Sequence, residues 1–245
     1  MGKQLNRRRV QFRGMTYSYQ KKKSRKLTIA IILIAVISIA TLATLYVTLP
    51  PVVVDVGVKV GDTFTYSIKG SVTLTGANAT MEPGFEQYNQ TDYYKITITD
   101  VNGTQVSMFN QWAFQNGTIV DYTQTIDVAN GLKTDKDGFW AIYPANLRIG
   151  SLLRPTGYDG QTVNNTDTAR YTSGQRSRCY WFINNPFYDI INDPTYSTAR
   201  YEYMNIFFDR ETGMLTSLAN FQVFNNPAKT QVIYWNLIET NVWEV

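Results

Sequence analysis

Two patterns of apolar positions divide the chain. Residues 27–49 form one uncharged, almost wholly apolar run, from Leu27 through Ile31-Ile32-Leu33-Ile34 to Leu49. Beyond residue 50 the apolar positions fall two apart. Phe64, Tyr66, Ile68, Val72 and Leu74 alternate with Thr63, Thr65, Ser67, Lys69, Ser71, Thr73 and Thr75. Period two is the mark of a half-buried strand. Gly70 interrupts the apolar row and predicts a bulge or bend. Tyr94, Ile96 and Ile98 continue the pattern, and Asn102-Gly103 closes it with a hairpin signal. Val106, Met108, Trp112 and Phe114 form the returning strand. Asn116-Gly117 turns again into Val120, Tyr122 and Ile126. Three strands joined by two tight turns predict an antiparallel meander. Both Asn-Gly pairs suit a type I′ turn.

The middle of the chain is less regular. Asn130 to Gly138 is polar and reads as a loop. Phe139 to Ile142 reads as a short strand, and Pro144 to Gly150 as a loop or single helical turn before Ser151 to Arg154. Gly157 to Asp167 is loop again. Ala169 to Thr172 and Arg178 to Ile183 bracket a hairpin turn at Ser173-Gly174-Gln175. Asn184 to Thr195 reads as a short helix or an ordered loop. Tyr201–Phe208, Met214–Phe224 and Thr230–Ile238 then alternate clearly, separated by Asp209–Gly213 and by Asn225-Asn226-Pro227. The total is about ten to twelve strands, with no long helical period after residue 50 and no fixed-period repeat.

The apolar run is 23 residues long. As a helix it spans roughly 34 Å, enough to cross a bilayer core of about 30 Å. It is too long for the apolar region of a signal peptide. Ten Lys/Arg and no acid lie in residues 1–26. That asymmetry keeps the N-terminus cytoplasmic and exports the rest. Pro50-Pro51 ends the helix. The expected organisation is a basic cytoplasmic arm at 1–26, a transmembrane signal-anchor helix at 27–49, a Pro/Val stalk at 50–60 and an exported β-domain at 61–245. The fold class is mainly β: one N-terminal transmembrane helix followed by one antiparallel meander domain, arranged as a half-barrel or a sandwich.

Val60-Gly-Asp-Thr-Phe-Thr-Tyr66, Pro144-Ala-Asn-Leu-Arg-Ile-Gly150 and Phe208-Asp-Arg-Glu-Thr-Gly-Met-Leu215 resemble segments of membrane-anchored archaeal surface proteins. The Asp-x-x-Thr-Gly-Met-Leu hairpin also resembles those of extracytoplasmic β-sheet lipoprotein carriers of the LolA/LppX kind. The resemblance runs through most of residues 58–240. It implies a long antiparallel sheet wrapped into a half-barrel around an apolar cavity. The lipoprotein carriers hold an acylated Cys where this chain has a helix, and no functional residue carries over.

Charge and composition narrow the function. The net charge of +4 averages two opposite pieces. Residues 50–245 hold 13 Lys/Arg against all 19 Asp/Glu, a net −6. Such a domain lacks the basic face of a nucleic-acid binder, and none is expected as a partner. The absence of histidine excludes His-based triads and His-ligated zinc. No cofactor, metal or catalytic residue is expected. The single cysteine, Cys179, has no histidine base and reads as a small buried apolar residue. Lys133-Thr-Asp135-Lys-Asp137-Gly138 resembles part of a calcium loop, but Lys133 and Pro144 occupy ligand positions. Asp189 with Asp193, or Glu202 with Asp209, are the carboxylate pairs a glycan hydrolase could use. Asn78, Asn89, Asn102, Asn116 and Asn164 each head an Asn-x-Ser/Thr sequon and are glycosylation candidates in an exported domain.

The aromatic load is the most suggestive feature: 14 of the 17 tyrosines follow residue 50. Adjacent pairs such as Tyr93-Tyr94 and Tyr234-Trp235 put one ring on each sheet face. The expected function is a membrane-anchored extracytoplasmic binding protein. It would hold a lipid or other apolar ligand on a concave aromatic-lined sheet. The alternatives are a structural or adhesive surface module, an accessory subunit of a membrane complex, and an Asp/Glu-dependent glycan hydrolase.

Overall fold

The computed structural model describes residues 30–39, 41, 53–134, 140–187 and 200–245, and separates the chain into two units, 1–51 and 52–245. In the first unit, residues 30–39 are α-helical. Ser38 donates its hydroxyl to the Ile34 carbonyl and Thr41 to that of Ile37. Among the described residues no helix is long and apolar enough to cross a membrane. The flanks of the 27–49 run, and the basic arm 1–26, lie outside them.

The second unit is built on one nine-stranded antiparallel sheet. The strands are β1 (Thr63–Leu74), β2 (Thr91–Asn102), β3 (Gln105–Phe114), β4 (Ile119–Asp127), β5 (Asn165–Tyr171), β6 (Gly174–Phe187), β7 (Arg200–Asp209), β8 (Leu215–Asn225) and β9 (Ala228–Thr240). Their spatial order is β4-β3-β2-β1-β9-β8-β7-β6-β5. Two meanders, one of four strands and one of five, are joined side by side where β1 pairs with β9 from Phe64–Thr240 to Leu74–Lys229. Among the described residues the pairing is continuous from edge to edge, in one sheet.

The described residues hold nine strands rather than ten to twelve. Ile142 makes only an isolated bridge to Met214, and Leu152 one to Thr162. Of the expected strand at 139–142, residues 140–142 are loop, as is the segment 151–154, and Phe139 lies outside the described residues. Asn184 to Phe187 extend β6 instead of starting a helix, and residues 188–199 lie outside the described set. Both Asn-Gly hairpins form, but neither turn is type I′, which needs positive φ at two consecutive residues. At β2–β3 the loop is Gly103-Thr104, with φ +59° at Gly103. At β3–β4 the Gly117 N–H donates to Phe114 O and Phe114 N–H to Thr118 O, with φ +83° at Gly117. That is a three-residue loop closed by a glycine bulge. The stretch expected as a stalk is docked from Val54 onward. Val58 is buried, Val54 and Val56 pack on the core, and the Ala145 N–H donates to Asp55 O.

Alternation puts Phe64, Tyr66, Ile68, Ile96, Ile98, Met108, Ile126, Cys179, Ile206 and Phe208 on one buried face. We call it the inner face. Residues 128–164 connect β4 to β5, which are the two edge strands. Their apolar side chains fill the inner face over β6–β8. The Tyr143 ring lies 4.6 Å from Phe208 and 5.9 Å from Trp181. The Tyr143 N–H donates to Gly213 O, and the Leu215 N–H to Ala141 O. Gly213 has φ +74°, and a Cβ there would sit 1.9 Å from Tyr143 O. Only glycine permits this contact. All described core residues lie between Val54 and Val245, so unit 52–245 carries its whole core.

Candidate functional site

The inner face is not filled everywhere. Register sets three cross-strand rows over β7, β8, β9 and β1. The first is Ile206–Leu218–Trp235–Ile68, the second Met204–Asn220–Ile233–Gly70, and the third Glu202–Gln222–Gln231–Val72. Polarity rises along the strands, row by row, on one face.

A cavity of about 260 Å³ opens over the first two rows. Its walls include Tyr88, Tyr94, Trp112 and Tyr122 on one side and Met204, Asn220 and Trp235 on the other. The rings are held by one another. Tyr94 and Trp235 lie 4.8 Å apart edge to face, and Tyr88 stacks on Trp112 at 6.1 Å. Trp112 donates its indole N–H to Thr91 Oγ1 at 2.8 Å, which fixes the ring plane. The Tyr94 and Tyr122 hydroxyls are hydrogen-bonded. Burial pushes the Tyr88 phenol above its ordinary pKa, and the Gln87 side chain opposes the shift.

Tyr88 reaches the cavity on a 3-10 helix, Phe85–Tyr88, laid across the inner face. Gly70 admits it, because a Cβ there would meet Phe85 Cε1 at 2.6 Å. The bulge in β1 lies at Thr65/Tyr66, so Gly70 serves close approach and not bending.

A second cavity of about 210 Å³ continues the first toward the third row. The two share Tyr88 and Ile233. The second is polar, with Glu82, Arg200, Gln222 and Gln231 in its walls. Asn220 donates to Glu202 Oε1 at 2.7 Å and Gln222 donates to the same oxygen at 3.4 Å. Asn220 Oδ1 is buried and has no partner. Gln231 is 0% exposed, and neither its Oε1 nor its Nε2 has a partner.

Of the carboxylate pairs singled out in the sequence, Glu202 and Asp209 are not brought together. Glu202 and Asp209 are seven residues apart on β7, roughly 23 Å at strand rise. Glycosidase pairs sit about 5–10 Å apart. Asp209 is fully buried and accepts from Arg176 Nε and Nη2, from the Glu211 and Thr212 N–H groups and from the Thr212 hydroxyl. It holds the β7–β8 turn. Asp189, Asp193, Asp135 and Asp137 lie outside the described residues. Lys133 lies with its ammonium 4.3 Å from the Trp140 ring centre. Among the described residues no three of His, Cys, Asp and Glu come together as metal ligands. Cys179 is fully buried, its thiol reaches Leu147 O at 3.5 Å, and burial pushes its pKa up to about 11.

The five sequon asparagines are all exposed. Asn89, Asn116 and Asn164 each use Oδ1 to accept a backbone N–H, from Gly70, Thr118 and Phe182. The Asn89 sequon differs in its third residue. Thr91 is buried, donating to Gln87 O while accepting from Trp112.

The sequence names Tyr94 and Trp235 among its aromatic pairs and Trp112 and Tyr122 only as strand positions, and it does not single out Tyr88, Asn220 or Gln231. The signal for the last two was present. Gln231 precedes Ile233, Trp235 and Leu237 at the same parity, and Asn220 follows Leu218. A polar residue on an apolar parity is the informative exception. No protein-family model matches the chain, and no curated protein matches it.

Proposed function

We propose that this chain is a membrane-anchored extracytoplasmic binding protein, holding a lipid or other apolar ligand on the concave, aromatic-lined face of a half-barrel sheet. The observation that carries the reading is the width of the first cavity. Tyr122 on β4 and Met204 on β7 line it together. Those strands are six steps apart in the sheet, roughly 29 Å if it lay flat. A cavity of about 260 Å³ joins them only if the sheet curls. Bulges at Thr65/Tyr66, Thr91/Tyr93, Ile98/Asp100 and Phe207/Phe208 favour such a curl. This is the architecture that the resemblance to LolA/LppX-like carriers implies. The uncharged run 27–49 supplies the tether, and the basic arm before it fixes the N-terminus in the cytoplasm. The function is non-enzymatic: area burial holds the ligand, at about 25 cal/mol per Å² before the costs of binding.

A second reading, a surface module that docks a protein or glycan, is favoured by the outer face. Phe182, Tyr201 and Tyr234 are 41%, 36% and 38% exposed there.

The test is native mass spectrometry of unit 52–245, exported by its host and purified without detergent. Retained mass that organic extraction removes, and that the cavity-filling substitution Met204→Trp abolishes, is the expected result. A mass equal to the chain with its covalent glycans refutes ligand carriage and favours the surface module.

A further inference from the structure

We infer that the ligand is a neutral amphiphile whose head group presents two hydrogen-bond donors and one acceptor, as a diol or a primary carboxamide does. The inference rests on the apolar-ligand reading above and adds to it the chemistry of the head.

The polar end of the site defines the complement. Three buried atoms there lack partners: the acceptors Asn220 Oδ1 and Gln231 Oε1 and the donor Gln231 Nε2. Buried amides in folded proteins are paired, and an exception points to a missing group. Both side chains occur on neighbouring strands in the second and third rows, and each lines one of the two adjoining cavities. A ligand lying along the strands places its hydrocarbon part between Trp112, Trp235 and Met204. Its head then meets Asn220 and Gln231 one row further on. Two donors and one acceptor on that head satisfy all three atoms.

Charge argues for a neutral head. Glu82 lines the polar cavity and Glu202 stands in the third row beside Gln222, both against an anionic head. The Glu202 Oε1 is already bonded by Asn220 and Gln222. Arg200 stands in the same polar cavity, against a cationic head. A carboxylate or an ammonium would each meet its own sign beside the opposite one, so a net charge on the head gains little there and still loses its hydration.

The experiment uses unit 52–245, which contains the whole core, stripped of bound lipid by organic extraction and refolded. Four probes sharing a ten-carbon acyl chain are titrated below their aggregation limits, following Trp fluorescence: 1-monodecanoylglycerol, decanamide, methyl decanoate and sodium decanoate. The glyceride and the amide are expected to bind roughly tenfold or more tighter than the methyl ester, as two recovered hydrogen bonds require. Decanoate is expected to be the weakest. In Gln231→Leu the preference for the amide over the ester falls by roughly threefold or more, the share of one of the two recovered hydrogen bonds, while ester binding persists. Gln231→Met serves the same purpose should the leucine variant not fold. Equal affinity for all four probes in the unsubstituted protein overturns the head-group inference and leaves the apolar cavity standing. Tightest binding of decanoate overturns it in the same way. Absence of saturable binding by any probe, the ester included, overturns the apolar-ligand reading and this inference with it.

Discussion

Replacing Gln231 with leucine should make the protein more stable. Gln231 is 0% exposed, and both ends of its amide are unpaired. Burying an amide without partners costs roughly 1–3 kcal/mol by protein mutational data. Leucine is close in volume and brings no polar atom. Its branch must fit beside Val72, the cross-strand neighbour, and Phe85, which lines the same cavity. A volume-conserving swap of that kind costs less than about 1.5 kcal/mol. The net gain is about 1 kcal/mol. With a urea slope of about 2 kcal/mol per M, the midpoint rises by roughly 0.5 M. The assay is urea unfolding of ligand-free unit 52–245, followed by circular dichroism and by Trp fluorescence. Coincident transitions license the two-state reading. An unchanged or lower midpoint with an unchanged slope refutes the reasoning, because it means that the free protein already satisfies the amide. A gain here beside a loss of head-group discrimination would identify Gln231 as a residue kept for binding at the expense of stability.

Gly213→Ala should cost about 3–4 kcal/mol: roughly 1–2 for a left-handed residue and about 1 for each of the two Tyr143–Gly213 and Leu215–Ala141 hydrogen bonds it displaces. Calorimetry should show a Tm lower by roughly 10 °C, and a shift under about 3 °C would remove the steric argument. Asp209→Asn breaks a buried pair with Arg176 and should cost about 2–3 kcal/mol, at the low end because Arg176 can keep Glu211; a double-mutant cycle with Arg176→Met measures the coupling. Burial raises the pKa of the Cys179 thiol from about 9 to about 11 and raises the Tyr66 and Tyr143 phenols above about 10. The folded chain therefore keeps protons that the unfolded chain releases. Stability should be flat with respect to these groups below about pH 9 and fall as pH rises, first through Cys179 and then through the tyrosines, by up to about 1.4 kcal/mol per pH unit for each group. Urea midpoints at pH 8, 10 and 11 check the slope, and Cys179→Ala should flatten its pH 9–10 part.

What the sequence made legible was what short-range periodicity controls. β1 to β4 and β7 to β9 were readable because Phe64-x-Tyr66-x-Ile68, Val106-x-Met108 and Ile233-x-Trp235-x-Leu237 alternate with few exceptions. Turn positions were readable to within a residue, but turn types were not. Loop length settles those: Asn102 pairs with Gln105, so glycine falls at the first central position of a two-residue loop and Asn102 needs no left-handed backbone. The connection 128–164 was opaque because its buried residues, Ile142, Tyr143, Leu147 and Leu153, follow no period. Their burial comes from contact with Cys179, Trp181 and Phe208, which lie far along the chain. Half of the site was opaque for a related reason. Aromatic positions announced themselves, whereas Asn220 and Gln231 come into neighbouring rows only through the β8–β9 register, which no local pattern specifies.

The place of the cavity follows from topology. Within the meanders β2–β3, β3–β4, β5–β6, β7–β8 and β8–β9 are joined by short turns, but β4 and β5 end up at opposite edges of the sheet. The chain between them therefore has a long way to travel, and 128–164 supplies the length. Those residues bond backbone to backbone with Arg210, Gly213 and Leu215, so they lie over the β7–β8 turn. Tyr143 and Leu147 then cover Phe208, Trp181 and Cys179 at that end of the strands. Among the described residues this other end is approached by the 3-10 helix Phe85–Tyr88, which is four residues long, and residues 188–199, between β6 and β7, lie outside them. Between the two covers lie Leu218, Met204, Trp235 and Asn220, with a cavity over them. The open space thus falls where the inner face changes from apolar to polar, which is where an amphiphile would lie.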